Sequence, residues 1–135
     1  MTRVNAEAAD QARPVKIVIV EDEPLIRFVM AEALRDQGVC VIEAATADEA
    51  WEFLMADSSV DLVFTDMRLP GRMSGADLAR RARTEFPGIE IRLTSAYFNP
   101  QDWSEPVLRK PYNLYETAIS LTATAREAQQ RRRPA

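Results

Sequence analysis

Short β-branched apolar runs alternate along this chain with longer segments of helical period, and few architectures accept that rhythm. Val15-Lys16-Ile17-Val18-Ile19-Val20 has the character of a strand buried on both faces. Val39–Ile42, Asp61–Thr65, Ile89–Leu93 and the very short Val107-Leu108 read the same way. Between them lie segments whose apolar residues recur every three or four positions. The first opens at Pro24 and stops at Gly38, with Leu25, Phe28, Val29, Ala33 and Leu34 recurring at helical spacing. The second starts from a cap at Thr46 or Asp48 and turns Ala47, Ala50, Trp51 and Leu54 inward. The third runs from about Ser74 to Phe86 on Leu78, Ala79 and Ala82, and the last from Tyr112 to about Gln130 on Leu114, Ala118, Leu121 and Ala125. Strands and helices in alternation imply right-handed βαβ units, hence an α/β fold with a parallel sheet covered on both faces.

Composition removes several kinds of chemistry. The chain has no histidine, so histidine-ligated zinc and the Ser-His-Asp and Cys-His hydrolytic arrangements are excluded. Its single cysteine, Cys40, cannot form an internal disulfide or a multi-cysteine metal site. A formal charge of −4 argues against nucleic acid as a partner. No apolar run approaches the ~20 residues of a membrane span, and residues 1–14 lack the apolar core of a secretion signal. The expectation is one domain over residues 15–130 in the cytoplasm, between a loose arm (1–14) and a basic tail (131–135), with no membrane association.

In open parallel sheets, sites form beyond the carboxyl ends of the strands. The first strand ends at Glu21 and Asp22, the third at Asp66, the fourth at Thr94 and Ser95, and the fifth at Lys110, followed by Pro111. Taken singly, each has an ordinary reading. Glu21-Asp22-Glu23 suits a helix start, Asp66 suits a turn before Pro70-Gly71, and Lys110 suits a solvated surface. Together they place three carboxylates, a hydroxyl and an ammonium on one rim. Crowded carboxylates repel one another, and a hard divalent cation such as Mg²⁺ relieves the repulsion through oxygen ligands. A carboxylate there can act as a nucleophile and carry an acyl phosphate, with metal and lysine neutralising the phosphoryl charge.

The strings Ile19-Val20-Glu21-Asp22-Glu23, Phe64-Thr65-Asp66-Met67-Arg68-Leu69-Pro70-Gly71, Gly75, Thr94-Ser95-Ala96 and Lys110-Pro111 resemble the receiver domain of two-component response regulators. The resemblance covers about residues 15–130. It implies a flavodoxin-like, doubly wound sheet of five parallel strands in the order 2-1-3-4-5. It implies that Asp66 accepts a phosphoryl group from a phosphohistidine on a sensor histidine kinase or phosphotransfer protein. Glu21, Asp22, Asp66 and the backbone carbonyl of Arg68 would hold Mg²⁺. Lys110, set by a cis peptide to Pro111, would contact the phosphoryl oxygens. A hydroxyl at the end of the fourth strand would swing toward the modified Asp66. Spacing from Gly75 and the alternation Ile89, Ile91, Leu93, Ser95 favour Ser95 over Thr94 in that role. The implied protein is a phosphoacceptor rather than an enzyme, with at most slow self-dephosphorylation. A protein-binding pseudo-receiver that is never phosphorylated is the alternative. A haloacid-dehalogenase-type phosphatase would want an aspartate where Arg68 stands, and a nucleotide fold would want glycines where Glu21-Asp22-Glu23-Pro24 stands.

The chain also departs from the family pattern. Ser95 and Lys110 are closer in sequence than in a full receiver, and the stretch between them holds Pro100 and Pro106 with little helical period. The helix between the fourth and fifth strands is therefore expected to be shortened or absent, with Tyr97, Phe98 and Trp103 packing over the exposed sheet. Val107 stands where receivers often carry an aromatic. Arg92, on the face opposite Ser95, is expected to mark a face left thinly covered by the missing helix. The few residues after the last helix point to a receiver without an output domain, acting through an unidentified downstream protein. The last helix and the aromatic loop are the expected partner or homodimer surface.

Overall fold

The computed structural model describes residues 13–103 and 105–132. Most of the N-terminal arm and residues 133–135 of the tail lie outside the described residues. Five strands form one parallel sheet: β1 (Lys16–Val20), β2 (Cys40–Ala44), β3 (Leu62–Asp66), β4 (Glu90–Ser95) and β5 (Val107–Arg109), in the order β2-β1-β3-β4-β5. Four α-helices are present among the described residues: α1 (Pro24–Arg35), α2 (Ala47–Ala56), α3 (Gly75–Glu85) and α4 (Leu114–Arg131). This is the flavodoxin-like, doubly wound arrangement expected. Between β4 and β5 the described residues hold only a single 3₁₀ turn, Pro100–Asp102, so the expected loss of a regular helix there is also seen.

Each face of the sheet has its own core, as the near-continuous apolar strands require. Ile17, Ile19, Leu62 and Phe64 pack under α1 and α4 with Met30, Leu34, Ala118, Leu121 and Ala125. Val18, Val20, Val63, Ile91 and Leu93 pack under α2 and α3 with Leu54, Leu78, Ala79 and Ala82. Thr46 caps α2, its hydroxyl accepting the Glu49 N–H at 3.1 Å. Ser74 and Asp77 close a reciprocal capping box at the start of α3. Gly38, at φ +82°, makes the turn after α1 that a side chain would strain.

Two local expectations are corrected, and the rotation of α1, which the helical spacing left open, is settled. Leu25 and Phe28 do not face the core: they are 73% and 55% exposed, and the buried stripe of α1 is Met30, Ala31, Ala33 and Leu34. The apolar repeat of that segment is wider than one face, so periodicity alone could not choose the rotation.

Arg92 does lie opposite Ser95, beside a groove of about 350 Å³ bordered by Phe64, Glu116, Ser120 and Thr124. That groove is on the α4 side of the sheet. The segment that replaces the helix covers the other side, where Phe98, Trp103 and Val107 pack against the α2–α3 core. The missing helix is therefore not the cause of the opening at Arg92. Of the three aromatics expected to cover the sheet, Tyr97 does not pack there; it is 74% exposed.

At the opposite end from the rim, α4 continues through Arg131, and Arg132 reaches back to the sheet. Its guanidinium pairs with Asp61 and donates to the Val60 carbonyl at 2.8 Å. Asp61, 1% exposed at the entrance to β3, also accepts the Lys16 N–H at 2.8 Å. Arg132 thus satisfies a buried charge and moors the end of the last helix. Among the described residues no helix is long and apolar enough to cross a membrane.

Candidate functional site

The carboxyl ends of β1 and β3 are neighbours in the sheet, with Val20 opposite Thr65 in register. Glu21, Asp22 and Asp66 therefore emerge side by side, and one carboxylate oxygen from each lies within 4.8 Å of the others. Glu21 is buried at 5% exposure, Asp66 is half-buried and Asp22 is exposed. Lys110 arrives from the end of β5, whose ladder with β4 finishes with Lys110 N–H donating to the Ser95 carbonyl at 3.0 Å. The Lys110–Pro111 peptide is cis, as the family resemblance implies. Lys110 Nζ donates to Asp66 Oδ2 at 2.7 Å and to Glu21 Oε1 at 3.0 Å.

The carboxylates are held from behind as well. Glu21 Oε2 accepts the Glu23 N–H at 3.3 Å, and Asp66 Oδ1 accepts the Arg68 N–H at 3.2 Å. Burial pushes the Glu21 carboxyl above its ordinary pKa, and the hydrogen bond from Lys110 opposes only part of that rise. Burial also works against the charge on Lys110, but its hydrogen bonds to Asp66 and Glu21 outweigh it and hold the ammonium above its ordinary value. The lysine therefore stays charged in the neutral range and screens two of the three acids.

Of the two candidate hydroxyls, Thr94 donates to the Leu108 carbonyl at 2.7 Å and so ties β4 to β5. Ser95 Oγ donates to the Tyr97 carbonyl at 3.0 Å and accepts the Tyr97 N–H at 3.2 Å. Neither hydroxyl is bonded to an acid of the rim. The Ser95 bonds are local and lie at the start of the segment that stands in for a helix.

Two contributors to the site have roles that the sequence does not show. Gly75, at the start of α3, approaches the Asp66 main chain so closely that a Cβ would fall 1.6 Å from the Asp66 carbonyl oxygen. Gly75 enters the family resemblance by its position, but its close approach to Asp66 shows only in the structure. Tyr112 sets its ring edge-on to Phe64 at 5.9 Å, and burial pushes its hydroxyl up to about 12. Outside the rim, Ile26, Ala96, Tyr97, Pro111, Tyr112 and Leu114 line a mostly apolar hollow of about 550 Å³ that Lys110 also borders.

The donor set consists of hard oxygens, one carboxylate buried and one open to water. That suits a small divalent cation that keeps several waters, and excludes a thiolate- or imidazole-preferring metal. The lysine marks where further negative charge is tolerated beside Asp66.

Residues 17–107 match the family model of the response regulator receiver domain. The chain is 31% identical over 123 residues to the sensor kinase CckA of Brucella abortus, covering 85% of this chain and 13% of that protein. It is 32% identical over 121 residues to the two-component response regulator PhoP of Pseudomonas aeruginosa, covering 84% of this chain and 53% of that one. The chain thus spans at most about half the length of these relatives. Among solved structures, the response regulator TrrA of Thermotoga maritima, in complex with Mg(2+)-BeF, superposes with a TM-score of 0.70 at 27% identity, over 82% of this chain and 98% of that one. With the sheet order, the acidic rim and the match over most of its length in agreement, the chain belongs to the response regulator receiver domain family.

Proposed function

We propose that this chain is a phosphoryl-accepting switch in a cytoplasmic histidine-to-aspartate phosphorelay, with Asp66 as acceptor. The observation that carries the reading is the Lys110 ammonium bridging Asp66 and Glu21 beside the open carboxylate of Asp22. An acid so placed has a cation on one side and room for a metal on the other, which is what in-line transfer to a carboxylate needs.

Asp66 Oδ attacks the phosphorus of a phosphohistidine on a kinase or phosphotransfer protein. The P–N bond breaks, its electron pair returns to the imidazole, and an acyl phosphate forms on Asp66. Glu21, Asp22, Asp66 and the Arg68 carbonyl would hold Mg²⁺. When bound, the ion neutralises charge on the phosphoryl oxygens. Lys110 exchanges its contact with Asp66 Oδ2 for a phosphoryl oxygen. Ser95 gives up its two short-range bonds to Tyr97 and donates to the phosphoryl group. Ser95 is favoured over Thr94 because the Thr94 hydroxyl is committed to the β5 backbone.

The test is intact mass after incubation with magnesium and acetyl phosphate or phosphoramidate. The wild type gains one phosphoryl mass. Asp66→Asn gains none, and chelation prevents the gain. Ser95→Ala is still modified but loses any linked change of conformation. A wild type that never gains mass would favour the pseudo-receiver.

A further inference from the structure

The turn that aims Glu21 and Asp22 has few supports of its own. β1 ends at Val20, and the last sheet bond on this edge is Glu21 N–H to the Ala44 carbonyl at 3.1 Å. The register with β3 runs out at Val20, so the Glu21 carbonyl leaves the sheet with no strand partner there. Nor does a side-chain cap follow: Glu23 occupies the cap position of α1 without capping it, and Pro24 supplies no N–H.

Arg27 fills that gap. It lies one turn into α1, its own N–H donating to the Glu23 carbonyl at 3.0 Å. Its Nη1 donates to the Glu21 carbonyl at 2.7 Å, a short, charge-assisted bond. Its Nε stands 3.6 Å from Glu43 Oε1 on β2, and Glu43 also takes Arg35 Nη2 at 3.3 Å. The guanidinium is therefore held from two sides, by β2 and by the end of β1, with its side chain only 20% exposed.

Resting on the proposed magnesium role of the rim, we infer that Arg27 is a positioning residue for the Glu21–Asp22 pair. It fixes the carbonyl between β1 and the metal-holding side chains, and Glu43 fixes Arg27. It touches neither metal nor phosphoryl group. Groups that orient metal ligands commonly matter about ten-fold or more for metal affinity.

The test is calorimetric titration of the purified protein with magnesium chloride, alongside thermal unfolding. Arg27→Ala should weaken magnesium binding about ten-fold. Arg27→Lys, which keeps a cationic donor without the fork, should weaken it less. Glu43→Gln, which leaves Arg27 in place but loosens it, should fall between Arg27→Lys and the wild type. The last two carry the test if Arg27→Ala does not fold. Variants that melt earlier yet bind magnesium as tightly as the wild type would show a purely structural residue and overturn the inference. A wild type that binds no magnesium would instead overturn the reading of the rim on which it rests.

Discussion

The two flanks of the α2–α3 face solve one problem differently. Over β1, β3 and β4, helices α2 and α3 bury small and aliphatic side chains in continuous contact with the sheet. Toward the β5 edge no helix of this face is present among the described residues, and the sheet is covered by Phe98 and Trp103, both only half-buried. Polar pins hold this strap down. The Arg80 guanidinium lies 5.6 Å from the Trp103 ring centre, Arg109 lies 4.5 Å from that of Phe98, and Arg83 pairs with Glu105. The helical flank draws its stability from area removed from water. The strap depends on a few aromatic and charged contacts at the surface, which are individually weak. Ser95 is bonded to the first turn of that strap, so the less stable flank is the one adjoining the proposed switch.

The contrast can be broken most severely from the helical side. Leu78→Ala removes a fully buried side chain of α3 and should cost about 2–5 kcal/mol in denaturant unfolding. Trp103→Ala removes a half-buried ring and a cation–π contact, and should cost about 1–2 kcal/mol. If it costs as much as Leu78→Ala, the strap is a true core and the comparison fails. Arg83→Ala should cost about 1 kcal/mol or less, since both partners of its ion pair are more than a quarter exposed, and the loss should shrink at high salt.

The smallest effect concerns acid. Hydrogen bonds from Lys16, and then from Ser59, hold the Asp57 carboxyl well below its ordinary value. A depressed folded-state pKa adds stability that is present above about pH 4 and is lost as pH falls through that window. Asp57→Asn should therefore be slightly less stable than wild type at pH 7, with the difference closing toward pH 2.

Much of this was legible in the sequence because it is written in local patterns. Strand runs ended by acids, a hydroxyl or a lysine place Glu21, Asp22, Asp66, Ser95 and Lys110 on one rim as soon as the sheet is parallel. The prolines at 100 and 106 likewise announce that no regular helix joins β4 to β5. What escaped is what depends on orientation or on distant pairing. Leu25 and Phe28 fit the helical period yet face solvent, because period does not say which side of a broad apolar stripe meets the sheet. Arg27, Arg132 and Asp61 look like ordinary surface charges. Their roles come from carbonyls and carboxylates brought near by the fold, 71 positions away in the case of Arg132 and Asp61. The face covered by the strap follows from its crossover and not from its composition.

The central claim is that Asp66, under Lys110 and beside Glu21 and Asp22, accepts a phosphoryl group with the help of a divalent metal. Fluorine NMR with beryllium fluoride and magnesium tests it most directly. The account predicts a bound trifluoroberyllate resonance in the wild type that disappears on chelation and never forms in Asp66→Asn. A wild type without that resonance, or an Asp66→Asn variant that retains it, would contradict the account.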